Sequence, residues 1–263
     1  MKVLVTNDDG IFAQGLWALV KELKTIADVI VVAPDREQSA IGTAITLRQP
    51  LRVQKIRPLV PGVEAYSVEG TPTDSVTLAL GKLVEDKIDL VISGINQGLN
   101  LGDDVIISGT VSAARQGYLR GLPAFAISVA TLSQSYLDSA TKLTVVLAKK
   151  VNSNALSSNV FLNINLPDLP IAKVRGIKIT SLASESHTDT VEEGNDGKRK
   201  YYWLVHQRLN KDTIEGTDIW AVEQGNISIT PLHNNVSKKP SLLVSESLCS
   251  DLFQELTSFT TGQ

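Results

Sequence analysis

The sequence predicts an α/β protein built on a doubly wound, mostly parallel sheet with protruding β-hairpins. Three observations predict it. Apolar runs such as Val3–Val5 and Val29–Ala33 are continuous rather than alternating, as strands covered on both faces require. Helix-period segments separate those runs, giving strand, helix and strand within about the first thirty-five residues. The strand ends carry polar, glycine-bearing loops, the usual ligand edge of such sheets.

Taken in order, residues 3–5 are the first strand and 11–27 the first helix. Leu16, Leu19, Val20, Leu23 and Ile26 lie on one helical face, opposite Lys21, Glu22 and Lys24. Residues 29–33 are the second strand, followed by the polar loop 33–42. Residues 43–53 and 63–68 read as a strand pair around Arg57-Pro58 and Pro61-Gly62. Gly70-Thr71-Pro72-Thr73-Asp74 opens a helix to about Val84, with Thr or Asp as its cap. Residues 88–93 form another buried strand. A loop with three glycines and two asparagines follows over 93–104, then Ser108-Gly109-Thr110 and a helix over 111–119. A strand at 123–129, a helix at 136–151 and a strand at 160–166 continue the alternation. Beyond residue 170 the pattern loosens. It gives a strand at 176–180, a long hairpin or flap over 185–205, a short helix capped by Gly216-Thr217-Asp218, a strand at 227–230 and a helix at 245–258. Residues 1–170 are thus read as the core and 171–263 as a hairpin and C-terminal region of one continuous α/β domain.

Composition narrows the function. The chain has 263 residues, 43% apolar and 20% charged, with net charge -3. No broad basic surface is available for a nucleic-acid polymer or anionic lipid. The single Cys249 excludes an internal disulfide and a Cys-rich zinc site. No apolar stretch reaches membrane-spanning length, and the amino end is too polar for a secretory leader. A cytoplasmic protein without membrane contact is expected.

The first strand ends in Asn7-Asp8-Asp9-Gly10. Adjacent carboxylates repel unless a cation or donors compensate, and Gly10 lets both turn toward one point. That points to a metal site; a solvated turn capping the next helix fits the same residues. Ser108-Gly109-Thr110 can serve as an anion cradle at a helix start or as a plain Ser/Thr cap, and the glycine-rich loop before it favours the cradle. There is no Gly-x-Gly-x-x-Gly, no P-loop and no Gly-x-Ser-x-Gly. A phosphoaspartyl pair is weak because Gly10 stands two after Asp8. His187, His206 and His233 are expected to be exposed or satisfied, away from the carboxylates. Tyr66, Tyr136 and Trp203 have no better case than core packing. What remains is an oxygen set on one sheet edge: the Asp8 and Asp9 carboxylates, the Ser39 hydroxyl and the Asn96 amide. Such donors suit Mg²⁺ or Mn²⁺ and metal-assisted phosphate-ester hydrolysis.

Val5-Thr6-Asn7-Asp8-Asp9-Gly10, the Ala33–Ala40 loop, Gly70–Asp74, Ser93–Val105 and Ser108–Ala114 together resemble the SurE family of 5′/3′-nucleotidases. Weaker echoes at 162–167, 201–203, 216–218 and 227–232 extend the resemblance over nearly the whole chain. It implies a Rossmann-like core and a metal-dependent phosphatase acting on nucleoside monophosphates. It places metal ligation on Asp8, Asp9, Ser39 and Asn96, and phosphate contacts on Asn96, Ser108, Gly109 and Thr110. It also implies a homodimer or tetramer that exchanges the late hairpin and C-terminal segment. Ile107, Gln116 and Ser75 depart from residues common in the family, and none is a proposed ligand. Asp8 or Asp9 can accept the proton of the attacking water, and a metal-bound hydroxide needing no separate base is the alternative. A broader acid phosphatase or exopolyphosphatase is the alternative enzyme, separated by substrate profiling. A non-catalytic nucleotide-binding regulator is the alternative of another class, marked by binding without phosphate release.

Overall fold

A computed structural model of the chain describes residues 1–184, 187–208 and 213–233. The expected helix at 245–258 and Cys249 lie outside the described residues.

β1 (Lys2–Thr6) sits centrally in a nine-stranded sheet. After it come α1 (Gln14–Leu23), β2 (Asp28–Pro34), β3 (Val53–Lys55), β4 (Glu64–Val68), α2 (Pro72–Leu78) and β5 (Leu90–Gln97). Next are α3 (Asp104–Ile107), α4 (Gly109–Leu119), β6 (Ala124–Val129), α5 (Gln134–Asn152) and β7 (Phe161–Leu166). β8 (Gly176–Ile179), β9 (His187–Asn195), β10 (Lys200–Arg208), α6 (Asp218–Glu223) and β11 (Asn226–Pro231) complete the described elements. The order across the sheet is β3-β4-β2-β1-β5-β6-β7-β11-β8. All neighbours run parallel except β3 against β4 and β11 against β7. Among the described residues β9 and β10 pair only with each other, as an antiparallel hairpin.

The chain leaves β1 toward β2 on one side and enters β5 on the other. The gap between β1 and β5 is therefore the switch point at which open α/β sheets place their ligands. Thr6 pairs with Ser93, so the β1 and β5 ends open onto one crevice.

Alternation along β1 explains why the sheet is covered twice. Val3 and Val5 pack with Leu16, Leu19, Val20 and Leu23 of α1, while Leu4 faces Val76 and Val111 of α2 and α4. α4 approaches closely because most of its buried residues are small: Gly109, Ser112, Ala113, Ala114 and Gly117, beside Thr110 and Val111. A Cβ on Gly117 would lie 2.6 Å from Val91 Cγ2.

Two local expectations are corrected. Residues 43–52 are irregular rather than strand, and β3 begins only at Val53. Polar partners outcompete a ladder there. Asp74 accepts the Thr46 amide at 2.9 Å and its hydroxyl at 2.7 Å, and the Thr71 hydroxyl donates to Ala44 O. Trp203 is 65% exposed on the hairpin rather than in the core. The expected cap of α2 is Thr71, in a reciprocal capping box with Asp74.

The asparagines of β7 hold the 98–103 loop. Asn165 Oδ1 accepts the Asn100 amide at 2.9 Å, and Asn163 and Asn165 both donate to Asn100 O, at 2.8 and 3.0 Å. Asn100 donates to Ser128 Oγ at 2.8 Å. All four residues are buried. Asn165→Leu leaves the Asn100 amide without its acceptor in a dry site. Thermal unfolding should show a loss of about 2–4 kcal/mol, roughly 6 °C or more in Tm. An unchanged Tm would remove the asparagines from the account of loop order.

Candidate active site

The first strand delivers Asp8 into the crevice, and three contacts fix it. The Gln38 amide donates to Asp8 O at 2.8 Å, which brings the loop after β2 alongside. The Thr110 hydroxyl donates to Asp8 Oδ1, and the Thr110 amide also serves the carboxylate. Gly109 lies so close that a Cβ there would be 2.7 Å from Asp8 Cβ. Gly10, at φ +100°, makes the turn out of the strand, and Asn7 secures it by donating to Gly10 O at 3.0 Å.

Burial raises the Asp8 pKa above the usual carboxylate range, with the Thr110 hydrogen bonds opposing it. Asp9 is pushed up to about 7, first by burial and then by the Asp8 and Glu37 charges. Glu37 is the site residue that sequence reasoning missed. Its Oε1 accepts the Ser39 hydroxyl at 2.8 Å, so Ser39 joins the group through it. Asn96 reaches the same edge along β5. Its Nδ2 donates to Gly98 O at 2.8 Å, which leaves the amide oxygen as the ligand atom. Asp8, Asp9, Glu37, Gly109 and Thr110 are thus brought together, Ser39 through Glu37 and Asn96 by strand placement rather than by contact with the carboxylates.

At Ser108 the structure shows the cap. Its hydroxyl accepts the Val111 amide at 3.1 Å as an ordinary cap of α4. The anion at this helix end is Asp8 itself, since both Thr110 donors serve it. Ile107 is 41% exposed and its carbonyl accepts the Gly42 amide at 2.7 Å. Gln116 donates to Thr77 at 2.9 Å, and Ser75 donates to Thr71 O at 3.1 Å. Gln116 and Ser75 therefore act in helix packing.

The donors fit a hard divalent ion. They are oxygens, the charges raising Asp9 are other carboxylates, and Asp9 Oδ2 is buried with no hydrogen-bond partner among the described residues.

A second cluster satisfies two of the histidines through carboxylates other than Asp8 and Asp9. His187 Nδ1 lies 2.8 Å and His206 Nε2 3.0 Å from Asp104 Oδ1. The two rings stack at 4.1 Å. His206 Nδ1 also meets Asp189 Oδ1 at 2.6 Å. Hydrogen bonds to Asp189 and then Asp104 raise the His206 pKa. Asp104 belongs to α3, immediately before Ser108. Its own amide donates to Leu101 O at 3.1 Å, while Asp218 Oδ2 accepts the Gly102 amide at 2.8 Å.

Residues 3–189 match the family described as survival protein SurE. The chain is 54% identical over 248 residues to the 5′-nucleotidase SurE of Dehalococcoides mccartyi, covering 94% of each chain. It is 44% identical over 246 residues to the 5′-nucleotidase SurE of Geotalea daltonii, covering 93% of this chain and 97% of that one. The crystal structure of the SurE protein from Aquifex aeolicus superposes with a TM-score of 0.76 at 36% identity, covering 90% of this chain and 95% of that chain. With the expected sheet and carboxylate edge both present, the chain belongs to the SurE family.

Proposed function

We propose that the chain is a metal-dependent phosphomonoesterase that releases phosphate from nucleoside 5′- and 3′-monophosphates. The observation that carries the reading is the crowding of Asp8, Asp9 and Glu37 at the switch point, with Asp9 Oδ2 buried and without a hydrogen-bond partner. The names of the relatives supply the substrate class. Asp8, Asp9, Ser39 and Asn96 would hold Mg²⁺ or Mn²⁺. When bound, such an ion polarises a phosphoryl oxygen and acidifies a water.

The chain's own groups do the remaining work. Thr110 fixes the Asp8 carboxylate, so its position does not depend on substrate. Asp9 Oδ2 accepts a proton from the attacking water as the water oxygen bonds to phosphorus; the ester oxygen leaves with the bonding pair and takes up that proton from the Asp9 carboxylic acid. Asn96, Ser108 and Gly109 would hold the non-bridging oxygens as charge builds on them, with Thr110 acting through the Asp8 carboxylate it fixes.

Self-association as a dimer or tetramer draws support from the hairpin, where Tyr202, Trp203 and Leu204 are 59%, 65% and 81% exposed. Exchange of the hairpin and C-terminal segment between subunits, and residues 171–263 as the oligomerisation region, belong to the same proposal. So does a cytoplasmic location; no helix among the described residues is long and apolar enough to cross a membrane.

The test is metal removal. Chelator-stripped protein should release no inorganic phosphate from AMP or 3′-AMP, and Mg²⁺ or Mn²⁺ should restore release. Full activity after stripping overturns the metal reading. Equal or better turnover of polyphosphate and small phosphoesters favours the broader phosphatase, and nucleotide binding without release favours the regulator.

A further inference from the structure

The geometry points to a second divalent-metal site, separate from the carboxylate edge, formed by Asp104, His187 and His206 and suited to a borderline ion of the Zn²⁺ class. It draws nothing from the nucleotidase reading.

The argument begins with strand register. His187 pairs with Arg208, and His206 with Asp189. His206 is two residues from Arg208, so the histidines are diagonal neighbours on one face of the hairpin. Their stacked rings converge on one oxygen, Asp104 Oδ1, at 2.8 and 3.0 Å. All three ligand atoms lie within 4.8 Å of one another. Tetrahedral zinc with bonds near 2.0–2.1 Å separates its ligand atoms by about 3.3 Å. Movements of a few tenths of an ångström would open the Asp104 contacts around an ion, and the two stacked rings would turn until each ring plane contains it.

The donor chemistry selects the ion. Two imidazole nitrogens and one carboxylate oxygen suit Zn²⁺, Co²⁺ or Ni²⁺ over Mg²⁺, whereas the Asp8 and Asp9 edge offers oxygen alone. The outer contact agrees. A ligating histidine typically donates its other ring nitrogen to a carboxylate, which fixes the ring and strengthens the ligand. Asp189, directly across the ladder, meets His206 Nδ1 at 2.6 Å and leaves Nε2 facing Asp104. Asp104 is 9% exposed, which keeps the site partly dry.

An ion there would tie the open end of the hairpin to α3. Asp104 precedes Ser108 by one helical turn, and the Ser108 amide donates to Asp104 O at 3.0 Å. The bound ion would therefore restrain the segment that carries Gly109 and Thr110. Three protein ligands leave a fourth position for water.

The experiment is calorimetric titration of stripped, full-length protein with Zn²⁺ in excess Mg²⁺, without nucleotide. Wild type and Asp9→Asn should each bind one tight Zn²⁺. His187→Gln and His206→Gln should weaken it at least about ten-fold, and Asp189→Asn by about ten-fold through the outer contact. Co²⁺ should give the visible absorption of a four-coordinate imidazole-ligated ion in wild type and Asp9→Asn, and in neither histidine variant. Circular dichroism checks each fold; if a histidine variant unfolds, Asp189→Asn carries the test. The proposal fails if wild type binds no tight Zn²⁺, if the histidine and Asp189 variants keep the wild-type isotherm, or if tight binding vanishes in Asp9→Asn alone. Failure with intact nucleotide turnover leaves Asp104, His187 and His206 as a hydrogen-bonded latch.

Discussion

Asp9→Asn should abolish phosphate release and at the same time stabilise the metal-free protein. The two effects have one cause. Asp9 is partly buried beside Asp8 and Glu37, and its pKa is pushed up to about 7 from an ordinary value of 3.8. A carboxyl whose folded-state pKa is raised binds its proton more tightly when folded. The stability tied to that proton is fully present below the unfolded value near 3.8 and is lost as pH rises to about 7. Above pH 7 the ionised group burdens the fold, and the neutral amide does not. After discounting for partial exposure, the gain at pH 8 is on the order of 2 kcal/mol, or roughly 4–8 °C in Tm. It should vanish below about pH 4, where both states are protonated. A divalent ion reverses the comparison, because it requires the ionised form: Mg²⁺ or Mn²⁺ should raise the Tm of wild type and not of the variant. Turnover should fall at least about 10³-fold, some 4 kcal/mol of barrier, and Asp8→Asn should match it. Near-normal turnover in both variants defeats the proposed site, and an unchanged pH profile of stability in Asp9→Asn defeats its electrostatic account.

Gly109→Ala tests the geometry rather than the charge. The added Cβ would stand 2.7 Å from Asp8 Cβ and 2.9 Å from Asp8 Oδ2. No free end of a flexible chain lies there to move aside. Asp8 is fixed behind by β1 and by the Gln38 amide, so relief must come from its carboxylate or from α4. A displacement near 1 Å at a reacting group costs about 10² in rate. The expectation is a kcat reduced about 100-fold or more, with a stability loss of about 1–3 kcal/mol from overpacking. Gly117→Ala is the comparison. Its Cβ would overlap Val91 just as badly, at 2.6 Å, on the same helix but away from the carboxylates. That variant should lose similar stability and keep most of its turnover. Equal kinetic losses in the two would assign the Gly109 effect to general packing of α4.

Much of this arrangement was legible in advance because it is local. Asp8 and Asp9 follow a strand that any α/β reading finds, and Thr71 caps α2 through a residue three positions on. The long hairpin was readable from the polar stretch between 185 and 200. Its turn is set by nearby side chains, with Asp196 accepting the Lys198 and Arg199 amides at 2.8 and 2.7 Å. Residues 43–52 misled because their β-branched pattern was answered by Asp74, 28 residues from Thr46, instead of by a neighbouring strand.

By itself, then, the sequence determined the elements, the edge on which the acids stand and the family resemblance, because periodicity, caps and turn chemistry act over a few residues. Only the tertiary structure decided that Thr110, 102 positions away, takes the Asp8 carboxylate, that Glu37 joins Asp9, and that two histidines meet Asp104. The physical reason is that these contacts are made by sheet order and hairpin register. Both are settled by the burial of whole faces, and no spacing along the chain records the outcome.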